Sequence, residues 1–230
     1  MKLLLALVLM ASAAHADVDW ARGLIIAEGV GIANRQAPSP AAAREPARRM
    51  AEDAARKQLA AQLPALPLAS GGTVKDRLTS TAVAERIAKV VERAYPIAAA
   101  PQTDGSWTVT LALPLEAVRL ALHGSPRSQL PEGDLAPPVV IVEGVTAKPA
   151  LGYAIGHWAA AVIWRKDVPA WAKDAPRVKA TGEKPGLIEI PDGNPLGAPR
   201  KPGQPSVDAV TGPPPTTNGG PSTLYLVLRP

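Results

Sequence analysis

Ala47 to Leu63 is the stretch that most restricts what this chain can become. At helical spacing, Ala47, Met50, Ala51, Ala54 and Ala55 form one apolar face that drifts through Leu59 to Leu63, while Arg48, Arg49, Glu52, Asp53, Arg56 and Lys57 hold the opposite side. Glu52 with Arg56, and Asp53 with Lys57, are ion pairs in the favourable order four residues apart. The side to be buried is mostly alanine, so this helix lies unusually close to whatever it covers. Pro46 suits the first residue of such a helix.

The segments around it alternate in type. Trp20 to Ala33 is rich in β-branched residues and interrupted by glycine, which predicts a strand with a bend or bulge near Gly29 to Gly31, closed off by Pro38 and Pro40. Beyond a loop through Pro64, Pro67 and Gly71-Gly72, the residues Val83, Ile87, Val90, Val91 and Ala94 make a single helical stripe. Tyr95 to Pro101 reads as a strand that Pro96 pushes toward a sheet edge. In DGSWTVTLALPLEAVRLAL, residues 104–122, Asp104-Gly105 signals a hairpin. Trp107, Val109, Leu111 and Leu113 then alternate with Ser106, Thr108, Thr110 and Ala112, as in a strand with one buried face. Leu115 to Leu122 folds back as a short helix. The expected class is α+β, with helices packed on one face of a mostly antiparallel sheet.

From Pro137 the texture changes. Val139 to Val142 is a continuous apolar strand, with Ala159 to Trp164, Leu187 to Ile190 and Thr223 to Leu228 as further strand candidates. Of the 26 prolines, ten fall between Pro185 and Pro221, with seven glycines among them. Such a stretch buries too little apolar surface to offset its ordering entropy, so it is expected to be flexible. The expected organisation is a signal peptide (1–16), an α+β domain (17–123), a smaller β-rich domain (137–184), a Pro/Gly-rich segment (185–221) and a C-terminal strand (222–230).

Met1-Lys2, the apolar run Leu3 to Met10 and the Ala14-His15-Ala16 cleavage pattern predict the signal peptide, with a mature chain from Asp17 and a periplasmic or secreted location. Spanning a bilayer takes about 20 apolar residues, and Ser12 and His15 interrupt this run. No later stretch is long and apolar enough for a transmembrane segment. The chain has no cysteine, which excludes disulfide staples, thiolate zinc sites and a cysteine nucleophile together. It also has no Phe, so Val, Ile, Leu and Ala must make the core. Net charge is +5, with acidic and basic residues interleaved and no basic stripe with aromatics, which argues against nucleic acid.

Gly29-Val-Gly31 with Pro40, then Ala47 to Leu59, Ile87 to Tyr95 and DGSWTVTLALPLE, residues 104–116, resembles a family of small envelope lipoproteins typified by a roughly twenty-kilodalton surface antigen. That family is also similar to the N-terminal domain of the flagellar assembly protein T. The most specific element is an Ala-Arg-x-x-Ala-x-x-Asp-Ala-x-Arg-x-Leu pattern, carried here by Ala47, Arg48, Ala51, Asp53 or Ala54, Arg56 and Leu59. A looser echo continues into Val139 to Gly144 and Lys148 to Leu151. The resemblance implies an envelope protein without catalytic residues, used in assembly, adhesion or scaffolding. It does not carry over a membrane anchor, because the lipid-bearing cysteine is missing, and the tail after Lys184 has no counterpart.

The residues agree with that direction. Gly29-x-Gly31 is not a dinucleotide fingerprint, since Asn34 stands at the third glycine position and prolines intervene before the helix. Beyond the signal peptide only His123 and His157 remain, too few for a metal or base constellation, so no catalytic, cofactor or metal residues are assigned. Two function classes stand. The first is a noncatalytic exported envelope protein that binds or assembles other envelope components, proteins or cell-wall polymer, with a flagellar or secretion accessory as a variant. The second is a cell-wall glycan hydrolase or transferase, whose carboxylates would have to converge from several segments. Trp158, Trp164 and Trp171 are the candidate partner-binding residues, because exposed tryptophan anchors interfaces. They serve that role where they are exposed; in a chain without Phe the favoured expectation is that they fill the core of the second domain.

Overall fold

The computed structural model describes residues 16–124, 139–156, 158–159, 161–191 and 224–229. The expected signal peptide up to residue 15 and the Pro/Gly-rich stretch from residue 192 to 221 lie outside them.

Residues 16–124 form a two-layer α+β unit. Strands β1 (Asp17–Asp19), β2 (Leu24–Gly31), β3 (Tyr95–Pro101) and β4 (Trp107–Pro114) make an entirely antiparallel sheet in the order β1-β2-β4-β3. Helix α1 (Pro40–Gln62) lies across one face, over β2 and β4. The short α2 (Val74–Arg77), α3 (Thr81–Glu92) and α4 (Leu115–His123) extend this helical layer. Ile25 and Ala27 of β2 and Val109, Leu111 and Leu113 of β4 point inward against Ala51, Ala55 and Leu59, all essentially free of solvent. The Arg86 guanidinium donates to the Ala121 carbonyl at 2.7 Å, satisfying an orphan acceptor in the last turn of α4 and tying it to α3.

Two expectations change at the contact between α1 and β2. There is no bulge at Gly29 to Gly31, because β2 keeps an unbroken register with β4 from Leu24 opposite Pro114 to Gly31 opposite Trp107. The irregularity of this sheet lies in β3, between Pro96 and Ala98. The glycines serve the helix instead. A Cβ on Gly29 would sit 2.5 Å from the Ala55 nitrogen, and one on Gly31 2.7 Å from the Ala47 carbonyl carbon, with the carbonyl oxygens nearer still. Strand backbone therefore rests directly on helix backbone. The helix also starts earlier than Pro46: Ser39 caps it, accepting from Ala42 N–H at 3.2 Å, Pro40 opens its first turn, and Pro46 is accommodated inside. Its buried line is Ala43, Ala47, Ala51, Ala55, Leu59 and Leu63. That four-residue ridge runs oblique to the helix axis, and Met50 falls off it into solvent.

The second unit is built on a different sheet. Strands β5 (Val139–Glu143), β8 (Ala161–Arg165), β9 (Arg177–Lys179) and β12 (Leu224–Leu228) are all parallel, in the order β8-β12-β5-β9. A smaller mixed sheet contains β6 (Ala154–Ile155), β7 (Trp158–Ala159), β10 (Gly182–Lys184) and β11 (Leu187–Glu189), in the order β10-β11-β6-β7. The C-terminal strand β12 enters the interior of the parallel sheet between β5 and β8. The continuous apolar runs VVIV and LYLVL follow from this. Val140, Val142, Trp164, Tyr225 and Val227 face one core, while Ile141 and Leu226 face another with Ala172, so both sides of the sheet are covered. Strand β11 lies within the stretch drawn as flexible from residue 185, so regular structure extends past that boundary.

The units share their cores. Leu151 belongs to the first core and Ala69 to the second, and Trp20 packs against both. Backbone bonds cross with them: Ala69 N–H donates to Leu151 O at 2.8 Å, Leu151 N–H to Pro67 O at 2.9 Å, and Trp164 N–H to Trp20 O at 2.9 Å.

Candidate functional site

The joint between the units leaves a groove of about 420 Å³ along the edge strand β8. Leu24, Pro114 and Leu115 line it from the first unit, and Ile163 and Leu224 from the second. Gly23 sets its width. Its backbone is left-handed at φ 68°, and a Cβ there would stand 2.8 Å from the Ile163 side chain, so glycine allows both the turn and the approach.

Trp171 overlooks this groove. It sits in a single 3₁₀ turn, Ala170–Ala172, whose Ala172 is buried against Ile141 and Leu226, so the turn is anchored while the indole is 60% exposed. Arg22, Arg165 and Glu116 supply the polar lining, and each is held by a neighbour. Arg22 Nε pairs with Asp19, Arg165 Nη2 reaches both Asp167 carboxylate oxygens at 3.2 Å, and Arg119 grips Glu116 through two bonds of 2.6 and 2.7 Å. Partial burial raises the Asp19 pKa, but the hydrogen bonds and charge of Arg22 outweigh it and hold the carboxyl below its ordinary value. The charges are thus pre-oriented around an apolar floor. Such an arrangement can desolvate and stack a flat apolar group while its rim offers guanidinium donors.

The three tryptophans do not form one site. Trp164 is 3% exposed and packs edge-on to Tyr153 with ring centroids 5.3 Å apart, which makes it a core residue on the opposite face of the parallel sheet from the Trp171 turn. That is the core role favoured for it from the sequence, and it takes Trp164 out of the candidate contact residues. In a chain without Phe, an indole beside a tyrosine supplies the bulk this core needs. Trp158 pairs with Ile155 through the backbone of β7, and its side chain lies outside the described residues. Of the two whose side chains are described, Trp171 lines the groove. Arg22, Gly23, Glu116, Ile163, Arg165 and Leu224 escaped sequence reasoning because they come from separate segments with no shared spacing.

Elsewhere, partial desolvation lowers the His123 pKa although the residue is open to solvent, reinforced by the charges of Arg119 and Arg77 and opposed by Glu116. Burial raises the phenol pKa values of Tyr153 and Tyr225. Among the described residues no three His, Asp or Glu side chains converge as metal ligands, and no helix is long and apolar enough to cross a membrane. Compared with models of known protein families and with curated protein sequences, the chain has no match.

Proposed function

We propose that this chain is an exported, noncatalytic protein of the bacterial envelope that binds and helps assemble other envelope components, and that the Trp171 groove is its contact site. The observation that carries the reading is an anchored tryptophan, 60% exposed, beside an apolar groove. Tryptophan in such a setting is a typical binding hot spot. Glu116 is the carboxylate among the described lining residues, and Arg119 occupies both of its oxygens, an arrangement suited to a fixed rim charge. Export is supported by the Lys2, Leu3 to Met10 and Ala14-His15-Ala16 pattern. The envelope assignment is supported by the likeness of Ala47 to Leu59 and of residues 104–116 to the small envelope lipoproteins.

The test is capture from envelope extracts and from isolated cell-wall polymer, with bound proteins identified by mass spectrometry. Trp171→Ala is expected to weaken capture by about 2 kcal/mol, roughly thirtyfold, with the melting temperature unchanged. Intact-mass analysis should find an exported chain starting at Asp17. Glycan turnover abolished by one carboxylate substitution would replace this reading with the hydrolase, and retention of residues 1–16 would remove the export step.

A further inference from the structure

We propose that β3 is a self-association edge, through which two copies of this chain pair antiparallel about Ala99 and continue the first sheet from one molecule into the other. All seven residues of β3, YPIAAAP, are exposed, with Tyr95 and Ile97 each 44% accessible. Helix α1 covers β2 and β4, so β3 overhangs the helical layer and both of its faces are open.

The hydrogen-bond parity of the edge is fixed by the hairpin. Gln102 N–H donates to Ser106 O at 2.8 Å, and the register continues Pro101 opposite Trp107, Ala100 opposite Thr108, Ala99 opposite Val109 and Ala98 opposite Thr110. Antiparallel pairs alternate between bonded and non-bonded, so Ala100 and Ala98 turn their backbone groups toward β4, while Ala99 and Pro101 turn theirs outward. Proline at 101 agrees with this, because the donor it lacks is not one that β4 needs. A two-fold axis at Ala99 sets its N–H and C=O against the C=O and N–H of the second copy. The same axis brings the Ile97 side chain beside the Pro101 ring of that copy.

A second copy fits better than a charged foreign strand. From Tyr95 to Thr103 the sequence carries no charge. A strand of the same composition therefore adds no charge to this edge. Edge strands are ordinarily protected by lysine or another inward charge. Here Pro96, the register shift and Pro101 protect only the ends, which confines pairing to a short central stretch and to one closed, isologous pair. So short an interface is a weak one, seen as a concentration-dependent dimer.

Light scattering and sedimentation on the mature chain across a wide concentration range test the proposal. Wild type should pass from monomer to dimer as concentration rises. Ala99→Pro removes only an outward donor, so it should raise the dimer dissociation constant at least tenfold with an unchanged melting temperature. The chain has no cysteine, so Ala99→Cys should form a disulfide-linked dimer on oxidation, whereas Arg49→Cys on the exposed side of α1 should not. A chain that stays monomeric throughout, with Ala99→Cys no more readily linked than Arg49→Cys, overturns the proposal. So does an Ala99→Pro variant that dimerises with the wild-type dissociation constant; should that variant unfold, the cross-linking comparison decides alone.

Discussion

Gly31 stands where two backbones touch, so a methyl group there has no rotamer through which to escape the Ala47 carbonyl. Gly31→Ala must push β2 away from α1, and overpacking of this kind typically costs about 1 to 3 kcal/mol. Arg49→Ala removes an exposed helix pair with Glu45 and should cost no more than about 0.5 kcal/mol. Denaturant melts of the two variants give the comparison, and equal midpoints would mean that α1 is not seated on the glycines. Trp164 and Trp171 separate in the same assay. Trp164→Ala empties a buried site and should cost about 3 to 5 kcal/mol, while Trp171→Ala should leave the melt in place. The sequence named both tryptophans but could not divide them, because aromatic scarcity draws an indole inward and interface chemistry draws it outward with the same letters.

At the scale of elements, α4 carries a pH response. The native environment lowers the His123 pKa through partial desolvation of a side chain that stays open to solvent and through the charges of Arg119 and Arg77, so the native state weakly resists a proton that the unfolded chain accepts near pH 6.5. Stability should therefore fall as pH drops below about 6.5 and level off once the native imidazole is itself protonated. His123→Gln should flatten that decline and converge with wild type above about pH 7.5, as read from melting temperatures across the range. Elements with one buried face were legible in the sequence. The alternation from Trp107 to Leu113 became β4, and the stripe from Val83 to Ala94 became α3 and its C-terminal turn. Illegible were features that depend on a neighbour. Gly29 and Gly31 look like a bulge until α1 is laid over them, and Ser39-Pro40 loses to Pro46 as a helix start until the buried ridge is seen to include Ala43. The runs VVIV and LYLVL predict strands, but a pattern buried on both faces specifies neither direction nor partner. The groove was less visible still, since its walls meet only after both units have formed.

Across the whole molecule, Leu151 and Ala69 exchange places between the two cores, and Trp20 touches both. Leu151→Ala should thus destabilise the entire chain by about 2 to 5 kcal/mol, with hydrogen exchange rising in β4 as well as in β5. Loss confined to residues 139–191 would show that the units unfold independently. Removing residues 224–230 takes the interior strand from the parallel sheet, and should abolish protection in β5 and β8 while leaving β2 and β4 protected. The late position of β12 also sets a clock on synthesis. The first sheet draws all its strands from residues 17–114 and can close while translation continues. Strands β5, β8 and β9 must wait for Leu224 to Leu228, with the edges destined for β12 bare in the meantime, so closure of this high-contact-order half follows the slow joining of distant segments. During that interval the nascent chain presents a vacant strand slot, open to a chaperone or to the corresponding strand of another molecule before its own arrives.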